Sequence, residues 1–209
     1  QNIESNRLLE VSTYLLNLKL KVKIVPPIQN WINGDLSLGQ IKDINIEDLL
    51  GRTPINITNS TLVKEYENKT ILISGAAGSI GSEIVKNLIG YKNIKLILLD
   101  IAESPLYRLQ QDLMLSREDK FVAVIADIKD YKRLENIFQE YKPDIVFHAA
   151  AYKHVPLMEK NPYEAVRVNV CGTKNMANLS VANNVNKFIL ISTDKAVNPT
   201  NVMGATKRI

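Results

Sequence analysis

Thr70-Ile-Leu-Ile-Ser74 runs straight into Gly75-Ala-Ala-Gly-Ser-Ile-Gly81, and a helical apolar pattern follows at once. An aliphatic run, a glycine-punctuated turn and a helix make the phosphate-cradling start of a dinucleotide-binding βαβ unit. In this reading Gly75 permits the tight turn, and Gly78 lets backbone N–H groups approach a pyrophosphate with no Cβ in the way. Gly81 lets the helix pack close to its strand. Ser79 and Ile80 open that helix, whose unpaired N–H groups and positive dipole end face the phosphates. Lys95-Leu-Ile-Leu-Leu-Asp100 reads as the second strand and closes on an acid 25 residues after Gly75. Asp100 is placed to accept hydrogen bonds from a ribose hydroxyl pair. No arginine stands beside it to pair a 2′-phosphate, so the pattern predicts NAD rather than NADP.

Strand and helix patterns alternate regularly from Thr70 onward. Strands are expected near 70–74, 95–99, 121–126, 144–148 and 187–192, and helices near 79–90, 103–117, 130–141, 161–184 and from about 201. Each strand is aliphatic with little polar alternation, as expected when helices cover both faces of a sheet. Right-handed crossovers then predict an α/β fold, a doubly wound parallel sheet of Rossmann type with strand order 3-2-1-4-5. The chain opens at Gln1 without a methionine and stops at Ile209 within a helical pattern. Both ends predict an excerpt of a longer protein, with the sheet truncated at its C-terminus. Upstream, residues 4–20 carry leucines and valines at helical spacing, Lys21-Val-Lys-Ile-Val25 alternates like a strand, and Pro26-Pro27 ends it. A helix followed by a terminal strand suits the end of a domain better than its start. Residues 28–69 read as a connector with one short helix at Ile46–Leu50, and residues 70–209 as the nucleotide-binding domain.

Composition narrows the function classes. The 209 residues are 45% hydrophobic and 23% charged, with a formal charge of +4. The basic excess sits on scattered lysines, which argues against nucleic-acid binding and suits an anionic nucleotide. The single cysteine, Cys171, rules out an internal disulfide and fits a reducing compartment; its apolar helical surroundings predict burial. No stretch reaches the length needed to span a bilayer, and no metal site is predicted.

In an open parallel sheet the ligand lies beyond the carboxyl ends of the strands. Strand three ends Ala126-Asp127-Ile128, where Asp127 accepts from an adenine amino group, caps the next helix, or does both. Strand four ends His148-Ala-Ala-Ala151; Ala149 and Ala150 let the backbone approach the cofactor, and His148 receives no catalytic role. Strand five ends Ile191-Ser-Thr-Asp-Lys195. Its hydroxyl, carboxyl and ammonium groups can hold a sugar hydroxyl, donate a proton and remove one; the alternative is a polar loop with a local ion pair. The spacing G-x-x-G-x-x-G points to short- and extended-chain dehydrogenases, which use Tyr-x-x-x-Lys in the helix that follows. Here that motif is Met203-Gly-Ala-Thr-Lys207. The lysine is present, and methionine cannot transfer a proton.

The Gly75–Gly81 loop, Leu99-Asp-Ile-Ala-Glu103, His148-Ala-Ala-Ala-Tyr-Lys-His-Val-Pro-Leu-Met-Glu159, Asn169-Val-Cys-Gly-Thr173 and Ser192-Thr-Asp-Lys-Ala-Val-Asn-Pro-Thr200 together resemble the nucleoside-diphosphate-sugar 4,6-dehydratases of bacterial polysaccharide biosynthesis. Within this extended short-chain dehydrogenase/reductase group, the nearest activity is UDP-N-acetylglucosamine 4,6-dehydratase. Pro26-Pro-Ile28 and Ile46-Glu-Asp-Leu-Leu-Gly-Arg52 resemble the connector of its longer, membrane-anchored branch, in which methionine replaces the tyrosine. The resemblance implies that residues 1–27 end a preceding nucleotide-binding-like domain. It also implies a parent protein at the cytoplasmic face of the bacterial inner membrane, attached through segments outside this chain, and an optional homo-oligomer. The implied reaction is an internal redox cycle on a UDP-sugar: hydride leaves C4 for NAD, a base removes the C5 proton, an acid helps the C6 hydroxyl leave, and hydride returns to C6. Lys195 is then the base, Asp194 the acid, Thr193 orients the C4 hydroxyl, and Lys207 binds the nicotinamide ribose. Residues 1–209 alone are expected to bind cofactor without turnover. Two other readings stay open: a C4 epimerase on the same scaffold, which wants a tyrosine at position 203, and a catalytically silent nucleotide-binding module.

Overall fold

The computed structural model describes residues 64–115 and 120–209, together with a few positions between 7 and 43. The chain divides into two compact units at Thr58/Asn59. In the first, Arg7, Glu10, Val11, Tyr14 and Leu15 are helical, and β1 (Lys23–Ile24) pairs antiparallel with β2 (Lys42–Asp43), Lys23 opposite Asp43. The rest of the helix expected over 4–20 and the short helix expected at Ile46–Leu50 lie outside the described residues. Among the described residues no helix is long and apolar enough to cross a membrane.

The second unit is built on five strands: β3 (Thr70–Ser74), β4 (Lys95–Asp100), β5 (Phe121–Ile125), β6 (Ile145–His148) and β7 (Lys187–Leu190). All neighbours are parallel and the spatial order is β5-β4-β3-β6-β7, which is the predicted 3-2-1-4-5. Helices α1 (Ser79–Leu88), α2 (Glu103–Leu115) and α3 (Tyr131–Tyr141) follow the first three strands. The aliphatic runs are explained by burial on both faces. Ile71 and Ile73 pack with Val85 of α1 and Leu106 of α2, while Leu72 between them packs on the other face with Leu134, Ile137 and Phe138 of α3. With side chains alternating along a strand, each face presents a continuous apolar layer.

The predicted helix over 161–184 is a composite. It is preceded by α4 (Val155–Lys160) and consists of α5 (Pro162–Ala165), a π-helical stretch (Val166–Gly172) and α6 (Thr173–Ala182). Pro156 and Pro162 sit in the first turns of α4 and α5, where a missing N–H costs nothing. The π-helical stretch buries Val168, Asn169 and Gly172. Gly172 packs against the Ile128 side chain, which would have to shift for a Cβ, since one would fall 2.5 Å from Ile128 Cδ1. Cys171 on the same stretch is exposed, contrary to the burial expected from its apolar neighbours: the wider turn points position 171 outward. A 3₁₀ turn (Asp194–Ala196) and α7 (Val202–Arg208) complete the unit.

Candidate active site

The loop between β3 and α1 is shaped by close backbone approach. Gly75 has φ +70°, and a Cβ on it would lie 2.6 Å from Ala150 N. A Cβ on Gly81 would run into the Gly75 carbonyl oxygen. Gly78 is the N-cap of α1 and supplies no side-chain cap, which leaves the first N–H groups of the helix, those of Ser79, Ile80 and Gly81, for an external acceptor. Lys153, which the sequence reading did not single out, donates from Nζ to Ser79 Oγ at 3.3 Å and adds a cation at this helix end. Its signal was available: it follows the three alanines closing β6 by one residue.

Asp100 ends β4 nearly buried, and both of its carboxylate oxygens are engaged. Oδ2 accepts from Ala77 N and Oδ1 from Ala102 N, each at 2.9 Å. The glycine loop and the turn after β4 are thereby tied to one carboxylate, which retains lone pairs for a diol. Asp127 Oδ1 accepts from Lys129 N at 2.8 Å, and Oδ2 lies 3.5 Å from Lys129 Nζ. The capping alternative for Asp127 does not hold: Asp130 is the N-cap of α3 and accepts from Arg133 N at 3.0 Å. Asn175 of α6 donates to the carbonyls of Ile128 and Lys129 and so clamps this loop.

A cavity of about 370 Å³ opens along these strand ends, bounded by Gly75, Gly78, Asp100, Asp127, Ala149 and Tyr152 among others; Ile128 and Ala150 also line it. Glycines where a Cβ would collide, a helix end without a side-chain cap, small residues on β6 and a carboxylate on β4 fit a dinucleotide, with its pyrophosphate at α1 and an adenosine ribose at Asp100. Among the described residues no cluster of His, Cys, Asp or Glu could hold a metal ion.

Thr193, Asp194, Lys195 and Lys207 lie outside the lining of that cavity: the first three follow the end of β7, and Lys207 is on helix α7, which packs on their turn through Gly204. Thr193 Oγ1 donates to Asp194 Oδ1 at 2.8 Å, and Lys195 Nζ stands 3.6 Å from the same oxygen. This is the local ion pair of the alternative reading, present on an open mouth: the Asp194 side chain is 88% exposed and that of Lys195 50%. The Thr193 hydroxyl and then the Lys195 ammonium hold the Asp194 carboxyl below the usual carboxylate range. Lys207 Nζ donates to the Ile191 carbonyl at 3.0 Å, and burial pushes its ammonium below the ordinary lysine range. Met203 is buried against Met158 and Ala165, so it packs the helix and offers nothing to the mouth.

Two buried polar groups brace this region. His148 has Nδ1 2.6 Å from Ser74 Oγ and Nε2 2.9 Å from Thr173 Oγ1. Burial, reinforced by the Lys207 charge, pushes it down to about 4, so it is neutral and structural near pH 7. Asn169 accepts from Tyr152 N at 2.8 Å, donates to Tyr152 O at 3.0 Å, and donates to Thr206 Oγ1 at 3.0 Å. It joins the loop after β6 to the helix carrying Lys207.

Residues 71–209 match the family model described as polysaccharide biosynthesis protein. The chain is 48% identical over 187 residues to the capsular polysaccharide biosynthesis protein CapD of Staphylococcus aureus, a match covering 88% of this chain and 31% of that protein. It is 37% identical over 143 residues to a UDP-N-acetylglucosamine 4,6-dehydratase (inverting) of Campylobacter jejuni, covering 68% of this chain and 41% of that one. Among solved structures, a UDP-glucose 4-epimerase from Brucella ovis in complex with NAD is similar with a TM-score of 0.57 and 25% identity, over 67% of this chain and 45% of that chain. The chain spans less than half the length of each of these proteins. The family match covers the parallel sheet from Ile71 onward and every residue of the site, and the chain belongs to the polysaccharide biosynthesis protein family.

Proposed function

We propose that this chain is the cofactor-binding portion of an NAD-dependent nucleotide-sugar 4,6-dehydratase acting on a UDP-sugar, UDP-N-acetylglucosamine being the first candidate. The observation that carries this reading is the Thr193-Asp194-Lys195 group after the end of β7, packed against the helix that bears Lys207, with Met203 buried. An epimerase on this scaffold wants a phenol at position 203. A dehydratase needs instead a proton acceptor for C5 and a donor for the C6 oxygen, and the Asp194–Lys195 pair carries both kinds of group.

A nicotinamide dinucleotide bound along Gly75, Gly78, Ser79, Ile80, Gly81, Asp100, Asp127, Ile128, Ala149 and Ala150 supplies the hydride acceptor and donor, with no net redox change over the cycle. Lys207, already desolvated, holds the nicotinamide ribose. Thr193 aligns the C4 hydroxyl. Lys195 takes the C5 proton and Asp194 delivers one to the departing C6 hydroxyl. In the chain without sugar, Asp194 is held in its ionised form by Thr193 and Lys195; filling the mouth with sugar removes water and favours the neutral pair, in which the Lys195 proton has passed to Asp194, leaving a free amine as the base and a carboxylic acid as the donor. Adjacent groups of this kind titrate as a pair, and it is the pair that performs the acid–base work.

The test is incubation of the full-length protein with NAD and UDP-N-acetylglucosamine, with formation of a 4-keto-6-deoxy product as the expected result. Recovery of a C4 epimer would transfer the chain to the epimerase reading. Cofactor binding without conversion of any UDP-hexose would leave a nucleotide-binding module.

A further inference from the structure

We propose that Gly204 is a positioning residue that sets the separation between the Asp194–Lys195 pair and Lys207; this rests on the dehydratase reading above. A Cβ at position 204 would overlap the carbonyl oxygen of Lys195, with the Lys195 carbonyl carbon at 3.2 Å and Asn201 Oδ1 at 3.3 Å. The helix carrying Lys207 is therefore seated directly on the backbone of the turn carrying the acid–base pair, with no side chain between them.

Which partner would yield to a methyl group there follows from how each is held. Helix α7 is anchored along its length. Glu159 Oε1 accepts from Val202 N at 2.7 Å, Asn201 Oδ1 accepts from Gly204 N at 2.8 Å, and Met203 is buried. Thr206 accepts from the buried Asn169, and Lys207 donates to the Ile191 carbonyl. The 3₁₀ turn opposite it is a single turn held by Ala196 N to Thr193 O at 3.1 Å, Val197 N to Asp194 O at 3.0 Å and a long contact from Lys195 N to Thr193 Oγ1 at 3.4 Å, with the exposed Arg208 side chain reaching the Val197 carbonyl at its end. Asp194 and Lys195 of the turn are exposed, whereas Met203, Gly204 and Thr206 of the helix are buried, so the turn moves. Restoring an ordinary contact of about 3.5–4 Å takes a displacement on the order of 1 Å. A shift of that size away from the productive geometry is worth up to about 100-fold in rate.

Position 204 has no reacting atom of its own. Its effect is confined to the step that uses Asp194 and Lys195, and binding of the dinucleotide along the glycine loop is untouched. In the full-length enzyme, Gly204→Ala is expected to lower kcat for 4-keto product formation from UDP-N-acetylglucosamine by about 10–100-fold. KM and bound NAD content should stay within about twofold, since positioning and not uniform binding is lost. With C5-deuterated substrate the isotope effect on kcat should rise in the variant, because proton removal becomes the slow step; a merely structural role would leave it unchanged. A folded Gly204→Ala enzyme with wild-type turnover and isotope effect overturns the proposal. Should that variant fail to fold, Arg208→Ala decides: it removes the bond from Arg208 Nη1 to the Val197 carbonyl, which ties the same turn to the same helix without adding volume. A raised C5 isotope effect in Arg208→Ala supports the proposal and an unchanged one overturns it. A wild-type enzyme that formed no 4-keto product would remove the reaction and the proposal with it, an outcome distinct from a variant that matches an active wild type.

Discussion

Lowering the pH from 7 to 5 should cost the folded unit stability through a single side chain, His148. The ring is fully buried, both nitrogens face hydroxyls, and burial together with the Lys207 charge moves its pKa from 6.5 to about 4. In the unfolded chain the same imidazole titrates near 6.5. Between these values the unfolded state binds the proton and the folded state does not, so stability is complete above about pH 6.5 and falls as the pH drops toward 4. For one group with those two values, linkage gives a loss of about 2 kcal/mol between pH 7 and pH 5, before ordinary carboxylates begin to protonate. The only other histidine, His154, is exposed. Urea unfolding at half-unit pH intervals measures the slope directly. His148→Gln should be less stable at pH 7, because Ser74 and Thr173 lose a matched partner, yet nearly flat from pH 7 to 5. Parallel wild-type and His148→Gln curves would refute the reasoning, since the pH dependence would then arise elsewhere.

In the full-length enzyme, Asp194→Asn and Lys195→Met should each reduce turnover by about 10²–10⁴ with little change in NAD affinity, whereas Met203→Leu, a volume-conserving change in a packed cluster, should cost less than about 1.5 kcal/mol of stability and little rate; equal kinetics for Lys195→Met and wild type would return the Thr193–Lys195 run to a structural loop. Gly81→Ala drives a methyl into the Gly75 carbonyl and should destabilise by about 1–3 kcal/mol while weakening NAD binding, read by thermal melting with and without cofactor; a cofactor-induced rise in Tm equal to wild type would count against the pyrophosphate assignment. Cys171 is exposed, so a thiol reagent should titrate one group per native chain without denaturant, and a thiol that reacts only after unfolding would contradict the outward turn of the π-helical stretch.

The sheet was readable because its strands are aliphatic on both faces and each is closed by a glycine, acid or small-residue signature. Ile71, Leu72 and Ile73 declare burial on both sides before any contact is known. What escaped the sequence depends on geometry between distant segments. The π-helical stretch at Val166–Gly172 has a composition compatible with an ordinary helix, and only its neighbours reveal the wider turn. Asp127 and Asp130 are both plausible caps by residue type, and the choice between them rests on φ and ψ at the start of α3. His148 receives no catalytic role from its sequence context and is a buried structural histidine, but its hydroxyl partners lie 74 residues before it and 25 after it. Met203 announced a missing phenol, whereas the direction in which it points follows from Met158 and Ala165.

The π-helical stretch also acts as a phase adaptor between two surfaces that a straight helix could not serve together. Upstream of it, Ala165 packs with Met203, and within it Asn169 reaches Tyr152 and Thr206; downstream, Met176 and Leu179 enter the layer beneath β6 and Asn175 grips the loop after β5. Each residue of an α-helix advances the face by about 100° and the axis by about 1.5 Å. Removing one residue from 166–172 would therefore leave either the Lys207 side or the sheet side in register, never both. Chain length across these seven positions is as constrained as any side chain in the site.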